Sequence, residues 1–155
     1  MIHVRPAVPD DAERIAEIQR ESWRAAYAHL LSADFLATLP AHVEMFQRAI
    51  ERGATLEVAE LDGELIGYAL AGPTRDEDAP RELQLWHLYQ LPKAHGSGSG
   101  QALLEAVLGD RPAQLWTAED NPRANAFYRR NGFRPDGARK VEDAWEGLVA
   151  IRMVR

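Results

Sequence analysis

A run of alternating glycines, His95-Gly96-Ser97-Gly98-Ser99-Gly100, stands between a strand-like and a helix-like apolar segment, and no other feature constrains the fold as strongly. Glycines at alternate positions let a turn take left-handed geometry and bring its backbone N–H groups toward one point. A helix that follows adds the partial positive charge of its N-terminus, so a pyrophosphate can be held without a lysine. Further on the chain reads Asn121-Pro-Arg-Ala124-Asn-Ala-Phe127-Tyr128-Arg-Arg-Asn-Gly132-Phe133, and the two segments together point to one small-molecule site.

The plainer reading of Gly-Ser-Gly-Ser-Gly is a flexible linker. A linker joins two domains, whereas a 155-residue chain leaves too little on either side for two cores, and both flanks are strongly patterned. A dinucleotide fingerprint fits poorly, because the spacing is not Gly-x-Gly-x-x-Gly and the run falls late in the chain. The Gly-Lys-Ser/Thr ending of a Walker loop is missing.

Composition excludes several classes. With 46% hydrophobic and 27% charged residues the chain reads as one globular domain over residues 1–155, neither disordered nor fibrous. A net charge of −6 argues against nucleic acid as a partner. The absence of cysteine excludes disulfides, thiolate metal sites and a cysteine nucleophile. No apolar run approaches the ~18 residues of a membrane span, and the first residues lack the apolar stretch of a signal peptide, so a cytoplasmic protein is expected.

Strand-like segments are expected at residues 2–5, 56–61, 65–70, 82–91 and 114–117, with a closing pair from 133 onward and at 148–154. Helices are expected after an N-cap at Asp10 or Asp11, over 32–39 and 42–52, and over 101–108 and 122–130. Asp62-Gly63 between two strands signals a tight hairpin. The acidic run Asp76-Glu77-Asp78 lies between Pro73 and Pro80 without periodicity, and reads as an exposed loop long enough to act as a lid.

The run from Leu88 to Leu104 with its glycines, followed by Asn121-x-x-Ala124-x-x-Phe127-Tyr128-x-x-x-Gly132-Phe133, resembles the acetyl-CoA motifs of the GNAT superfamily of N-acetyltransferases. Ser22-Trp23-Arg-Ala-Ala-Tyr27 and the Asp62-Gly63 hairpin are similar to one bacterial branch, so the resemblance covers essentially the whole chain. It implies an α/β fold, with a mixed, mostly antiparallel sheet of six or seven strands flanked by helices and a splayed strand pair forming the acetyl-CoA groove.

The resemblance also implies roles. The amides of His95, Gly96, Ser97, Gly98, Ser99 and Gly100 would wrap the pyrophosphate of acetyl-CoA, with His95 standing where the family usually has Gln or Arg. Backbone groups of Leu88, Tyr89 and Gln90 would pair with the pantetheine arm as an added strand, and an amide near Gln90 would stabilise the oxyanion of a tetrahedral intermediate. Asn121 would bond the same arm, although an N-cap ahead of Pro122 is equally good local chemistry. Tyr128 would protonate the departing thiolate, against the alternative of a core aromatic.

The general base is open. Gln84 and Trp116 occupy the two positions where the family often places a carboxylate, and neither takes a proton. Glu82 is the preferred substitute, with His87, Glu119 and Asp120 as rivals, and a base is dispensable if the amine loses its proton before binding. Trp23, Tyr27, Phe35, Trp86 and the acidic loop would form the acceptor pocket, although Trp23 and Tyr27 at i, i+4 also fit a core stripe. The expected reaction is acetyl transfer from acetyl-CoA to the primary amine of a small molecule or peptide, without a metal and with neither nucleic acid nor membrane as partner. A homodimer and, as the alternative function, a CoA-binding sensor without turnover remain compatible with these residues.

Overall fold

Seven strands form a single sheet in the order β1-β2-β3-β4-β5-β7-β6, and the computed structural model describes all of residues 1–155. The strands are β1 (Ile2–Pro6), β2 (Thr55–Leu61), β3 (Glu64–Pro73), β4 (Leu83–Gln90), β5 (Gln114–Ala118), β6 (Arg134–Glu142) and β7 (Leu148–Val154). The helices are α1 (Ala12–Tyr27), α2 (Ala33–Ala37), α3 (Val43–Glu51), α4 (Ser99–Leu108) and α5 (Pro122–Arg130). The architecture is therefore the mixed α/β sheet that the sequence implies. No helix is long and apolar enough to cross a membrane.

Alternation along the strands divides the core between two faces. Leu56, Val58 and Tyr68 pack with Ile15, Ile18 and Phe46 of α1 and α3, while Ala59, Ile66, Leu85 and Leu115 pack with Leu103, Leu104 and Val107 of α4 and with Tyr128 and Phe133. Each helix buries one stripe because its apolar residues recur at three- and four-residue spacing. The β2–β3 turn has Asp62 at φ 52° and Gly63 at φ 84°, the two consecutive left-handed residues that a two-residue hairpin requires.

Two expectations need correction. Asp11 does not cap α1 through its side chain. Its carboxylate accepts instead from the Val8 N–H at 2.8 Å and from two nitrogens of Arg5 at 2.8 and 3.1 Å, tying β1 to the start of the helix. The segment 74–81 is not a free lid. Asp76 accepts from Gln114 Nε2 and the Trp116 indole, both at 2.8 Å, and Asp78 accepts from Arg152 at 2.9 Å. These partners lie far along the chain, so local composition carries no sign of them.

Between β4 and β5 the sheet opens. The two strands pair in parallel only at Gln84↔Gln114 and Leu85↔Leu115. Beyond that point β4 remains paired to β3 as far as Gln90, while β5 turns away with β7. The edge of β4 from Trp86 to Gln90 has no strand beside it, which leaves main-chain donors and acceptors for another partner.

Candidate active site

The gap between the two strands widens into a groove of about 730 Å³, walled by β4, β5, α1, α5 and the turn before α4. At one end lies the glycine run. Gly96 and Gly98 adopt φ of 81° and 89°, and α4 starts at Ser99, so Ser99 and Gly100 belong to the first helical turn rather than to the loop. The N–H groups of Gly96, Gly98, Gly100 and Gln101 have no acceptor within the protein, as expected where a helix begins. They sit at the positive end of the helix dipole and suit a pyrophosphate.

Gly100 has a second reason to be glycine. A Cβ there would lie 2.4 Å from Gln90 Nε2, because the Gln90 side chain folds over the start of α4 and its Oε1 accepts from Ser99 Oγ. This pins β4 to the helix at the point where the groove passes between them.

His95, Gly96, Gly98, Gly100 and Asn121 line the groove, as do Leu88, Tyr89 and Gln90 on the open strand. Ser97 and Ser99 do not. Ser97 Oγ donates to the Ala94 carbonyl at 2.6 Å and accepts from the Ser99 N–H, and the Ser99 side chain is fully buried. The Ser97 N–H likewise donates to the Ala94 carbonyl at 3.1 Å, so the amides expected to wrap a pyrophosphate are at these two positions bonded within the turn, where small hydroxyl side chains satisfy the local backbone. Asn121 does cap α5, with its side-chain oxygen accepting from the Ala124 N–H at 3.4 Å, while also lining the groove.

Arg123 and Arg130 join the same end of the groove, and sequence reasoning missed both. Their spacing on α5 was the available signal, since seven residues is two helical turns and sets both on one face. Burial lowers His95, and Arg123 nearby lowers it further, so the imidazole is neutral at pH 7 and the two arginines supply the cationic charge.

Tyr128 also lines the groove while remaining 92% buried, its ring edge-on to Phe127 and Phe133. Burial, then the neighbouring Tyr89, hold its hydroxyl well above the ordinary phenol range. It therefore keeps its proton at neutral pH, as a proton donor must. The ring is core, while the residue also belongs to the groove wall.

The expected bases are placed elsewhere. Glu82 precedes β4, is exposed and does not line the groove. Gln84 is 4% exposed and accepts from Thr74 Oγ1 and Gln114 Nε2, both at 3.0 Å. His87 faces the α1 and α3 side, with Nδ1 3.1 Å from the Tyr68 hydroxyl, and burial pushes it down to about 4. Glu119 holds Arg139 at 2.7 Å. Asp120 lies outside the groove wall, its main-chain carbonyl accepting from His29 Nε2 at 3.0 Å.

Tyr27 and Trp86, the residues expected in an acceptor pocket, line the groove. Trp23 is core, edge-on to Tyr89 and Trp145, and Phe35 belongs with it to a smaller adjoining pocket of about 220 Å³. Trp145 on the β6–β7 turn was not singled out from the sequence. It is brought there by Glu146, whose carboxylate accepts from the Ser32 N–H at 2.7 Å and the Ser32 hydroxyl at 2.9 Å.

The family model for the acetyltransferase (GNAT) domain matches residues 52–135, from β2 to the start of β6. The chain is similar to the uncharacterized N-acetyltransferase YuaI of Bacillus subtilis, 29% identical over 99% of this chain and 89% of that protein. It is also similar to the uncharacterized N-acetyltransferase Rv2669 of Mycobacterium tuberculosis, 37% identical over 52% of this chain and 53% of that one. Among solved structures, the PaiA N-acetyltransferase of Thermoplasma acidophilum in complex with coenzyme A superposes with a TM-score of 0.70 at 23% identity, covering 98% of each chain. A GNAT-family acetyltransferase of Bacillus cereus gives 0.71 at 19% identity, covering 100% of this chain and 96% of the other. At these identities the structural likeness speaks for the fold.

Proposed function

This chain belongs to the GNAT acetyltransferase family, and from that premise we propose that it moves an acetyl group from acetyl-CoA to the primary amine of a small molecule or peptide. The observation that carries the reading is the opening of four unpartnered amides, Gly96, Gly98, Gly100 and Gln101, onto the same groove as the buried Tyr128 hydroxyl. Acetyl-CoA supplies an activated acyl thioester and a diphosphate by which it can be held. The amides and the cationic side chains of Arg123 and Arg130 fit the diphosphate. The free edge of β4 from Trp86 to Gln90 fits the amides of the pantetheine arm, and Asn121 reaches it from the other side.

Tyr128 is the proton donor to the sulfur in this reading. Its hydroxyl is protonated because its charged form is the costly one in a buried site. Binding at the remote nucleotide end fixes the thioester against that hydroxyl. The test is thiol release from acetyl-CoA with a panel of amines, alongside calorimetry of acetyl-CoA binding, on the wild type and on Tyr128→Phe. The variant is expected to bind acetyl-CoA within about threefold of wild type and to lose on the order of 100-fold or more in kcat. Unchanged turnover in the variant would remove Tyr128 from the chemistry.

A further inference from the structure

Two features of the acceptor end decide what kind of amine it accepts, given the acetyl-transfer reading on which this inference rests. No aspartate or glutamate lines the groove. Of the carboxylates beside it, Asp76 is held by Gln114, Trp116 and Arg152 and Glu119 by Arg139, while the Asp120 carboxylate lies outside the wall, exposed to solvent and 3.9 Å from His29 Nε2. Independently, both tryptophans of the wall already carry a cation of the protein. The Arg75 guanidinium sits 5.5 Å from the Trp86 ring centroid, and Lys140, itself 3.4 Å from Glu142, sits 4.2 Å from that of Trp116; Arg152, 5.6 Å from the same ring, is already neutralised by Asp76, Asp78 and Asp136.

An ammonium entering this end meets no carboxylate in the wall, the exposed Asp120 beside His29 is screened by solvent, and the rings that would attract the ammonium already face Arg75 and Lys140. The other ionisable groups there are Tyr27, Tyr89 and Tyr128, all kept protonated by burial, and His29, whose Nε2–H donates to the Asp120 carbonyl. Toward the diphosphate end lie His95, Arg123 and Arg130, which add no negative charge.

We propose that the acceptor is a weakly basic primary amine, borne beside an apolar or aromatic body and bound in its uncharged form, which it reaches by giving up its proton to solvent rather than to an enzymatic base. Its nitrogen lone pair forms the bond to the acetyl carbon and the carbon–sulfur bond breaks. One proton leaves nitrogen for water, and the sulfur takes one from Tyr128, which solvent replaces. An amine with a pKa near ~8, like a peptide α-amino group, is about one-tenth neutral at pH 7, whereas a lysine-like amine near ~10.4 is neutral in fewer than about one molecule in a thousand.

L-Phenylalaninamide, phenethylamine and spermidine distinguish these cases, with thiol release followed from about pH 6 to pH 10 and acetyl-CoA binding measured by calorimetry. The first two share an aromatic body and differ chiefly in basicity. At pH 7 kcat/KM for phenylalaninamide is expected to exceed that for phenethylamine at least about tenfold, with spermidine slower still. Each acid limb should break at the acceptor's own pKa, so that the two aromatic amines break about two pH units apart. A common breakpoint for all acceptors would reveal an enzymatic base and overturn the proposal, as would spermidine turnover equal to that of the amide. Acetyl-CoA binding without turnover of any of the three also overturns it. Failure to bind acetyl-CoA overturns the acetyl-transfer reading itself, and this proposal with it.

Discussion

The two ends of β4 differ more than any two neighbouring segments of the molecule. At Gln84 and Leu85 the strand is zipped to β5 and closed over by a polar lattice in which Gln84, Gln114, Thr74 and Asp76 bond one another and Arg152 reaches Asp76, Asp78 and Asp136. From Trp86 to Gln90 the same edge is bare. The difference shows how a sheet can be split without unravelling, because a locked end holds the register while the open end is left for a ligand. It also explains why a position that often carries a catalytic carboxylate holds a glutamine here. At Gln84 the side chain is part of the lock and has no access to the groove.

Removing the lock should have the largest effect. Arg152 is 5% exposed and its guanidinium serves three aspartates, so Arg152→Met leaves Asp76 and Asp136 without their cation in a partly buried setting. A destabilisation of about 3 kcal/mol is expected, discounted for the exposure of Asp78, with a fall in Tm of roughly 10 °C. Acetyl-CoA affinity should stay within about threefold of wild type. A matching loss of affinity would mean that the two ends are not separable.

The converse variant acts on the open end. In Gly100→Ala the new Cβ displaces the Gln90 side chain from the start of α4, which costs about 1 kcal/mol of stability and lowers acetyl-CoA affinity about tenfold by calorimetry. Stability loss without affinity loss would show that Gln90 only packs. The mildest change is Arg123→Gln, expected to weaken acetyl-CoA binding about fivefold at low salt and less at 0.5 M salt, because its contribution is that of a partly exposed charge toward a phosphate. An effect independent of salt would assign Arg123 a packing role instead.

Much of this was legible in the residues. Asp62-Gly63 announces its hairpin because two left-handed residues in succession admit few side chains. The glycine run announces a strand, a turn and a helix start in that order, although the helix begins two residues earlier than the expected Gln101, since serine and glycine tolerate a first helical turn as well as a loop. Leu88, Tyr89, Gln90 and Tyr128 reach the groove as the motif implies. Ser97, Ser99 and Glu82 do not, and nothing local separates them from those that do. A serine in a turn bonds either ligand or backbone, and a glutamate beside a strand start faces either groove or solvent.

What the sequence by itself determined about this protein is its local conformation and the order of its elements, because φ and ψ preferences and apolar periodicity act over a few residues. The tertiary structure alone decided the electrostatics of the site. Asp76 meets Arg152 from 76 positions away, Arg75 and Lys140 converge on two tryptophans from different segments, and Glu146 draws Trp145 toward Ser32 across 114 positions. Charges act through space over several ångströms, so the sign of a pocket depends on which distant residues folding brings together.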